Sequence, residues 1–165
     1  MPARVDEMSL ARLKRMFDTN ILGSFLCARE AVRRMSTRHG GGPWAAAGGG
    51  RGGAIVNLSS AAARLGSPAQ YVDYAASKGA IDTFTLGLAR EVAAEGIRVN
   101  AVRPGIIDTE IHASGGLPER AKDLAPQVPM KRAGTADEVA AAVLWLLSDA
   151  ASYTTGTVID VTGGR

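Results

Sequence analysis

Apolar residues along the first third of the chain recur at the spacing of one helical face. Leu10, Leu13, Phe17, Ile21, Leu22, Phe25, Leu26 and Ala28 form this stripe, which predicts a long helix from Ser9 to about Thr37 with Ser9 as its N-cap and a kink near Gly23. The segment GGGPWAAAGGGRGG, within 40–53, breaks the pattern. Its composition cannot pack a core, so it reads as a flexible surface loop with Trp44 touching down. AIVNLSS, from Ala54, is a short apolar run suited to a buried parallel strand. A helix from Tyr71 to Glu95 follows, ended by Gly96, and IRVNAV, Ile97 to Val102, is a second strand stopped by Pro104 and Gly105. Thr135 and Glu138 have capping-box spacing ahead of the amphipathic stretch TADEVAAAVLWLLSD, and Thr157 to Val161 is the last strand. Strands alternating with helices predict an α/β fold, a doubly wound parallel sheet in three layers. No internal repeat is visible.

Composition narrows the picture. A chain of 165 residues, 46% hydrophobic and 21% charged, suits one domain over 1–165 with a real core. The net charge of +3 is small. Arg12, Arg15, Arg29, Arg33 and Arg34 lie along the first helix, which reads as a solvated or partner-facing surface and not as a nucleic-acid site. The single cysteine, Cys27, excludes an internal disulfide, and His39 and His112 lack ligand spacing, so no metal site is expected. No apolar run has the length of a membrane span, and Met1 to Asn20 is polar at its centre, unlike a signal peptide. The expected compartment is the cytoplasm.

The chemistry gathers around YAASKGA, Tyr74 to Ala80. Residues four apart share a helical face, so Lys78 can lie near the Tyr74 hydroxyl. A cation at about 4 Å, in an effective dielectric of about 20, favours phenolate by roughly 4 kcal/mol, which would bring the phenol from about 10 toward about 7. Ligands of parallel sheets bind beyond the carboxyl ends of the strands. That rule selects Asn57 to Ser60 and Arg103 to Thr109. A Ser60 hydroxyl folded back toward Tyr74 could hold a substrate oxygen while the phenol protonates it, although Ser59 and Ser60 also suit a turn or a helix cap.

Five stretches together resemble the short-chain dehydrogenases/reductases of the classical type: TNILGSF, GAIVNLSS, YAASKGA, IRVNAVRPGIIDT and YTTGTVIDVTGG, in that family's order. The resemblance implies a Rossmann-type sheet and an NAD(P)-dependent oxidoreductase, with NAD or NADP as cofactor and a small-molecule alcohol or carbonyl as substrate. It makes Tyr74 the general acid/base. Lys78 becomes its partner and a ribose ligand, Ser60 the residue that orients the substrate oxygen, and Asn20 a fourth member that bends its helix and holds a water in a relay to Lys78. Pro104, Gly105, Ile107 and Thr109 match the segment that contacts the nicotinamide carboxamide and a nearby phosphate. No metal is needed, and neither a membrane nor a nucleic acid is involved.

Family members pair as dimers or tetramers through the helices that correspond to Ser9–Thr37 and Tyr71–Glu95. Ala75, Ala76, Gly79 and Ala80 would permit close helix contact, and serve a monomer core equally well.

The resemblance starts partway into the family's pattern. MPARVDEMSLARLKRMFDTN corresponds to the linker and helix after the fourth strand. The glycine-rich turn that binds adenosine and pyrophosphate is absent, on the order of 80 residues of a two-half architecture. The expectation is therefore a domain truncated at its N-terminus, with Met1 an internal methionine or a false start. Cofactor binding by the chain alone would be weak, and the strand from Ala54 would become an exposed apolar edge. The alternative function is a catalytically inactive fragment or oligomerisation module. Residues that read the ribose 2′ position belong to the absent half, and the loop Ile106 to Val128, with His112, would be the substrate lid.

Overall fold

The computed structural model describes residues 2–39, 52–111 and 116–165. Three parallel strands, β1 (Gly53–Leu58), β2 (Ile97–Pro104) and β3 (Val158–Val161), form a sheet in the order β1-β2-β3. The first pair runs in register from Gly53 opposite Ile97 to Leu58 opposite Val102, and the second from Ala101 opposite Val158 to Pro104 opposite Val161. The chain starts with α1 (Leu10–Phe17), a π-helical turn (Asp18–Leu22) and α2 (Gly23–Met35). The remaining helices are α3 (Ala62–Leu65), α4 (Val72–Val92), α5 (Arg120–Leu124) and α6 (Ala136–Leu147).

Side-chain alternation along β2 explains the layers. Ile97 and Val99 point to one face, where they pack with Ala89 and Val92 of α4 and with Val32 and Met35 of α2. Arg98 points the other way, and its guanidinium donates to the carbonyls of Leu146, at 2.7 Å, and Ser148, at 3.1 Å, at the end of α6. That cation sits where a helix gathers negative potential. The expected three-layer parallel arrangement is therefore present. Val99, Ala101 and Val102 have no exposed surface, which makes the middle strand the centre of the core.

Several boundaries differ from the sequence expectation. β2 runs two residues past Val102. Pro104 can end a central strand because the ladder needs only its carbonyl there, which accepts from Ala61 N at 2.9 Å, while Gly105 N donates onward to Val161 O at 2.9 Å. β3 begins at Val158, one residue later than expected. β1 begins at Gly53, inside the stretch assigned to a loop; 40–51, with Trp44, lies outside the described residues. Gly52, at φ +78°, fixes that start. A Cβ on it would stand 2.1 Å from the Gly96 carbonyl oxygen, so only glycine fits. In place of the expected kink near Gly23, the helix passes through a π turn, Asp18–Leu22, that contains Asn20 and ends against Gly23.

α4 stops at Val92 and continues as a tighter turn, Ala93–Glu95, before Gly96 at φ 78°. Of the small residues offered for helix contact, Ala75 is buried in the core while Gly79 faces open space. The stretch assigned as a lid is partly packed: it contains α5, and Ala121 and Val128 are buried. His112 lies outside the described residues. Among the described residues no helix is long and apolar enough to cross a membrane.

Candidate active site

Beyond the strands, the backbone ladder continues into the turns. Ser59 N donates to Val102 O at 2.8 Å, and with the Ala61 and Gly105 bonds this stitches together the carboxyl ends of all three strands. Ser59 Oγ donates to the Lys78 carbonyl at 3.2 Å, joining the same turn to α4. Ser60 Oγ accepts from Ala62 N at 3.1 Å, closing the turn that enters α3, as its residue type allows. Between α3 and α4 the chain reverses through three left-handed residues: Gly66 (φ 75°), Ser67 (φ 47°) and Ala69 (φ 58°). The last two are strained, and such strain concentrates where a fold must hold a functional geometry. The reversal returns Tyr74 to Ser60.

The Tyr74 phenol is half-buried, and the Ser60 hydroxyl opposes part of the effect of that burial. Burial pushes the phenol above its ordinary value of 10.0, and the Ser60 hydroxyl pulls it partly back. The sequence expectation of a strongly acidified phenol is thus overturned in sign. The Lys78 ammonium lies over the Tyr74 ring, 5.6 Å from its centroid, and donates to the Leu58 carbonyl at 2.7 Å. It faces the ring and strand end rather than the hydroxyl. Lys78 is itself pushed down by burial, against the charge of Asp82.

Asn20 sits inside the π turn and meets α4 through Ser77. Its amide donates to Ser77 Oγ at 3.0 Å and Met16 Sδ at 3.1 Å, and Ser77 Oγ donates to the Tyr74 carbonyl at 2.7 Å. A π turn releases the regular i−4 pattern for one turn, which is how helix-interior Asn20 can reach across. Its own carbonyl accepts from Ser24 Oγ at 2.8 Å.

A second tie runs alongside. Arg12 grips Asp73 in two bonds, Nε to Oδ2 at 2.7 Å and NH2 to Oδ1 at 3.1 Å, and the Asp73 side chain has no exposed surface. Arg12 is therefore a clamp between α1 and α4, and not part of a solvated face. Burial opposes the Asp73 charge, yet the Arg12 bond and backbone donors hold its carboxyl below the usual value.

Pro104 and Gly105 stand at the stitched strand ends beside the Ser60 turn. A Cβ on Gly105 would come within 2.8 Å of Thr162 Cα, so the glycine permits this close approach. Ile107 forms a parallel bridge with Gly134, and Asp108 N donates to Gly134 O at 2.9 Å, which anchors the segment leading to exposed Thr109. A cavity of about 600 Å³, lined by Ile106, Ile107, Met130 and Thr162, opens beside this segment and does not include Ser60, Tyr74 or Lys78.

Sequence reasoning missed Ser77, and also an ionic chain: Asp82 to Arg103, Arg103 to Asp160, and Asp160 to Arg64. Asp82 follows Lys78 by four residues, the same spacing that singled out Tyr74 and Lys78.

A phenol, an ammonium and a hydroxyl at one strand end are the donor set for a carbonyl oxygen and ribose hydroxyls, so these residues fit the nicotinamide end of a dinucleotide. Among the described residues no glycine turn opens a helix in the manner of a pyrophosphate site.

The fold is of the Rossmann type, a parallel sheet with helices on its faces. A family model described as enoyl-(acyl carrier protein) reductase matches residues 1–165. The chain is 58% identical over 161 residues to the uncharacterized oxidoreductase YgfF of Escherichia coli, covering 98% of this chain and 62% of that protein. It is 38% identical over 158 residues to glucose 1-dehydrogenase 2 of Bacillus subtilis, covering 96% and 57%. The crystal structure of acetoin dehydrogenase YohF from Salmonella typhimurium superimposes with a TM-score of 0.80 at 33% identity, covering 99% of this chain and 59% of that one. An ElxO variant with NADPH bound gives 0.80 at 31% identity, covering 98% and 61%. The chain belongs to the short-chain dehydrogenase/reductase family. It spans about three-fifths of the length of YgfF and glucose 1-dehydrogenase 2.

Proposed function

We propose that this chain is the catalytic and substrate-side part, a partial domain over 1–165, of an NAD(P)-dependent oxidoreductase acting on an alcohol or carbonyl in the cytoplasm. The observation that carries the reading is the Lys78 ammonium over the Tyr74 ring, 5.6 Å from its centroid, while it donates to the Leu58 carbonyl at the end of β1, with the Ser60 hydroxyl acting on the same phenol. When bound, nicotinamide supplies or accepts a hydride at C4. In the reducing direction Tyr74 gives its proton to the substrate oxygen as negative charge develops there, and Ser60 donates a hydrogen bond to the same oxygen. Lys78 favours the resulting phenolate electrostatically and donates to the nicotinamide ribose. Asn20, steadied by Ser77, is assigned the water-held end of a relay that returns a proton through Lys78. Pro104, Gly105, Ile107 and Thr109 are assigned to the carboxamide and the nearby phosphate.

The test uses this chain and a fusion in which the unmatched portion of YgfF precedes it. The chain alone should leave NADH and NADPH fluorescence unchanged, whereas the fusion should bind one of them and reduce carbonyl compounds. In the fusion, Tyr74→Phe should lower turnover by about 10²- to 10⁴-fold with cofactor binding retained. Wild-type turnover in that variant would remove Tyr74 from the role.

A second reading, a non-catalytic module that pairs with further copies, is favoured by the exposed cluster Leu22, Phe25 and Leu26 on the π turn and α2. A fusion that binds cofactor yet turns over no alcohol or carbonyl would favour it.

A further inference from the structure

Tyr74, Lys78 and Asp82 succeed one another at four-residue steps on α4, so all three share one face. Asp82 is 9% exposed, and both bonds from Arg103, Nε and NH2 at 2.9 Å each, fall on its Oδ2. Its other oxygen, Oδ1, is buried and has no hydrogen-bond partner among the described residues. A fork that grips one oxygen and leaves the second unspent is a poor structural ion pair. The arrangement makes sense if the charge is used elsewhere. The cation one turn away is Lys78, half-buried and donating to the Leu58 carbonyl.

We propose that Asp82 is a positioning residue for the Tyr74–Lys78 pair: its carboxylate, anchored by Arg103 from β2, holds the Lys78 head group as an ammonium beside the phenol. The proposal rests on the assignment of that pair to the chemistry. The groups recorded at the Lys78 ammonium are the Tyr74 ring, the Leu58 carbonyl and the charge of Asp82, which is joined through Arg103 on β2 to Asp160 on β3 and through Asp160 to Arg64 on α3. Arg103 is shared between Asp82 and Asp160. Asp160 thus balances part of the Arg103 charge and leaves more of the Asp82 field for Lys78. Burial works against the ammonium and Asp82 works for it, so removing Asp82 tips the balance toward the neutral amine.

The chain has four lysines, Lys14, Lys78, Lys122 and Lys131. Selective ¹³Cε labelling would therefore give four NMR titration curves from the chain itself, with Lys78 assigned through Lys78→Arg. Asp82→Asn, nearly isosteric, should raise the acid dissociation constant of Lys78 by roughly threefold or more while the other three lysines hold still. Asp82→Glu should restore most of the wild-type curve. If Asp82→Asn fails to fold, Asp82→Ala removes the same charge with a smaller side chain, and Lys78 should again release its proton at lower pH. An unmoved Lys78 curve in either folded variant overturns the proposal. Because these curves need neither cofactor nor substrate, a shifted curve in a protein whose fusion shows no turnover would support the Asp82 assignment while sinking the catalytic one.

Discussion

The Ser60 hydroxyl does two things: it accepts from Ala62 N in the turn that enters α3, and it moderates the rise that burial imposes on Tyr74. Ser60→Ala removes that moderation and leaves burial alone, so the Tyr74 ionisation should move further above 10.0. Tyrosinate absorbance, taken as the difference from Tyr74→Phe, reads that shift directly; a lower or unchanged midpoint would contradict it. Arg12 illustrates a different kind of residue, one whose loss strands a partner. With the Asp73 side chain fully buried, Arg12→Leu should cost about 3–5 kcal/mol in urea denaturation, whereas Arg33→Leu, at an exposed pair, should stay within about 1 kcal/mol. Equal small losses would return Arg12 to the solvated face that the sequence suggested.

The last long helix, α6, shows how an element's own ends store pH dependence. Thr135 Oγ1 accepts from Glu138 N at 3.2 Å, Glu138 Oε2 accepts from Thr135 N at 2.8 Å, and Arg132 adds a bond to the same carboxylate at 2.6 Å. The Arg132 bond first, and the Thr135 backbone second, lower the Glu138 carboxyl to about 2. A depressed folded-state value means stability that is present above the ordinary value of 4.5 and is lost as pH falls toward about 2. Wild type should therefore melt above Glu138→Gln at neutral pH, and the gap should close between those two values. A gap of constant width across that range would refute the linkage. This cap, like Ser9 on α1, was readable in advance because caps are local in sequence. A kink near Gly23 and a bend at Asn20 were expected, but the π geometry itself was not readable, since the apolar stripe from Phe17 to Ile21 to Phe25 keeps helical spacing across the extra residue. The end of β2 was missed for a related reason: a proline stops a strand by rule, and only the neighbouring ladders reveal that its carbonyl alone was needed.

At the scale of the molecule, Tyr74, Lys78 and Ser60 were legible because a four-residue spacing and the strand-end rule confine them. The chain from Asp82 through Arg103 and Asp160 to Arg64 was not, because its partners stand 21, 57 and 96 residues apart and meet only once the sheet is assembled. Among the described residues β1 is an edge strand, as the resemblance implied, and Leu58 at its end is 54% exposed. With Leu22, Phe25 and Leu26 also exposed, the chain should sediment as a dimer or larger species, and Leu22→Glu with Leu26→Glu should shift it toward monomer. A wild-type chain that sediments as monomer at every concentration would dismiss pairing through α2. The π turn at Asp18–Leu22 also sets a tolerance in chain length. It amounts to one surplus residue between two helices that are each anchored to α4, by Arg12 before it and by the Phe25–Phe84 ring stack after it. Deleting Thr19 would let the helix run straight, but it would turn α1 about 100° against α2, and only one of those anchors could then engage. Insertions and deletions that most helices absorb by fraying would here be transmitted as a rotation, so the count of residues between Arg12 and Phe25 is as constrained as their identities.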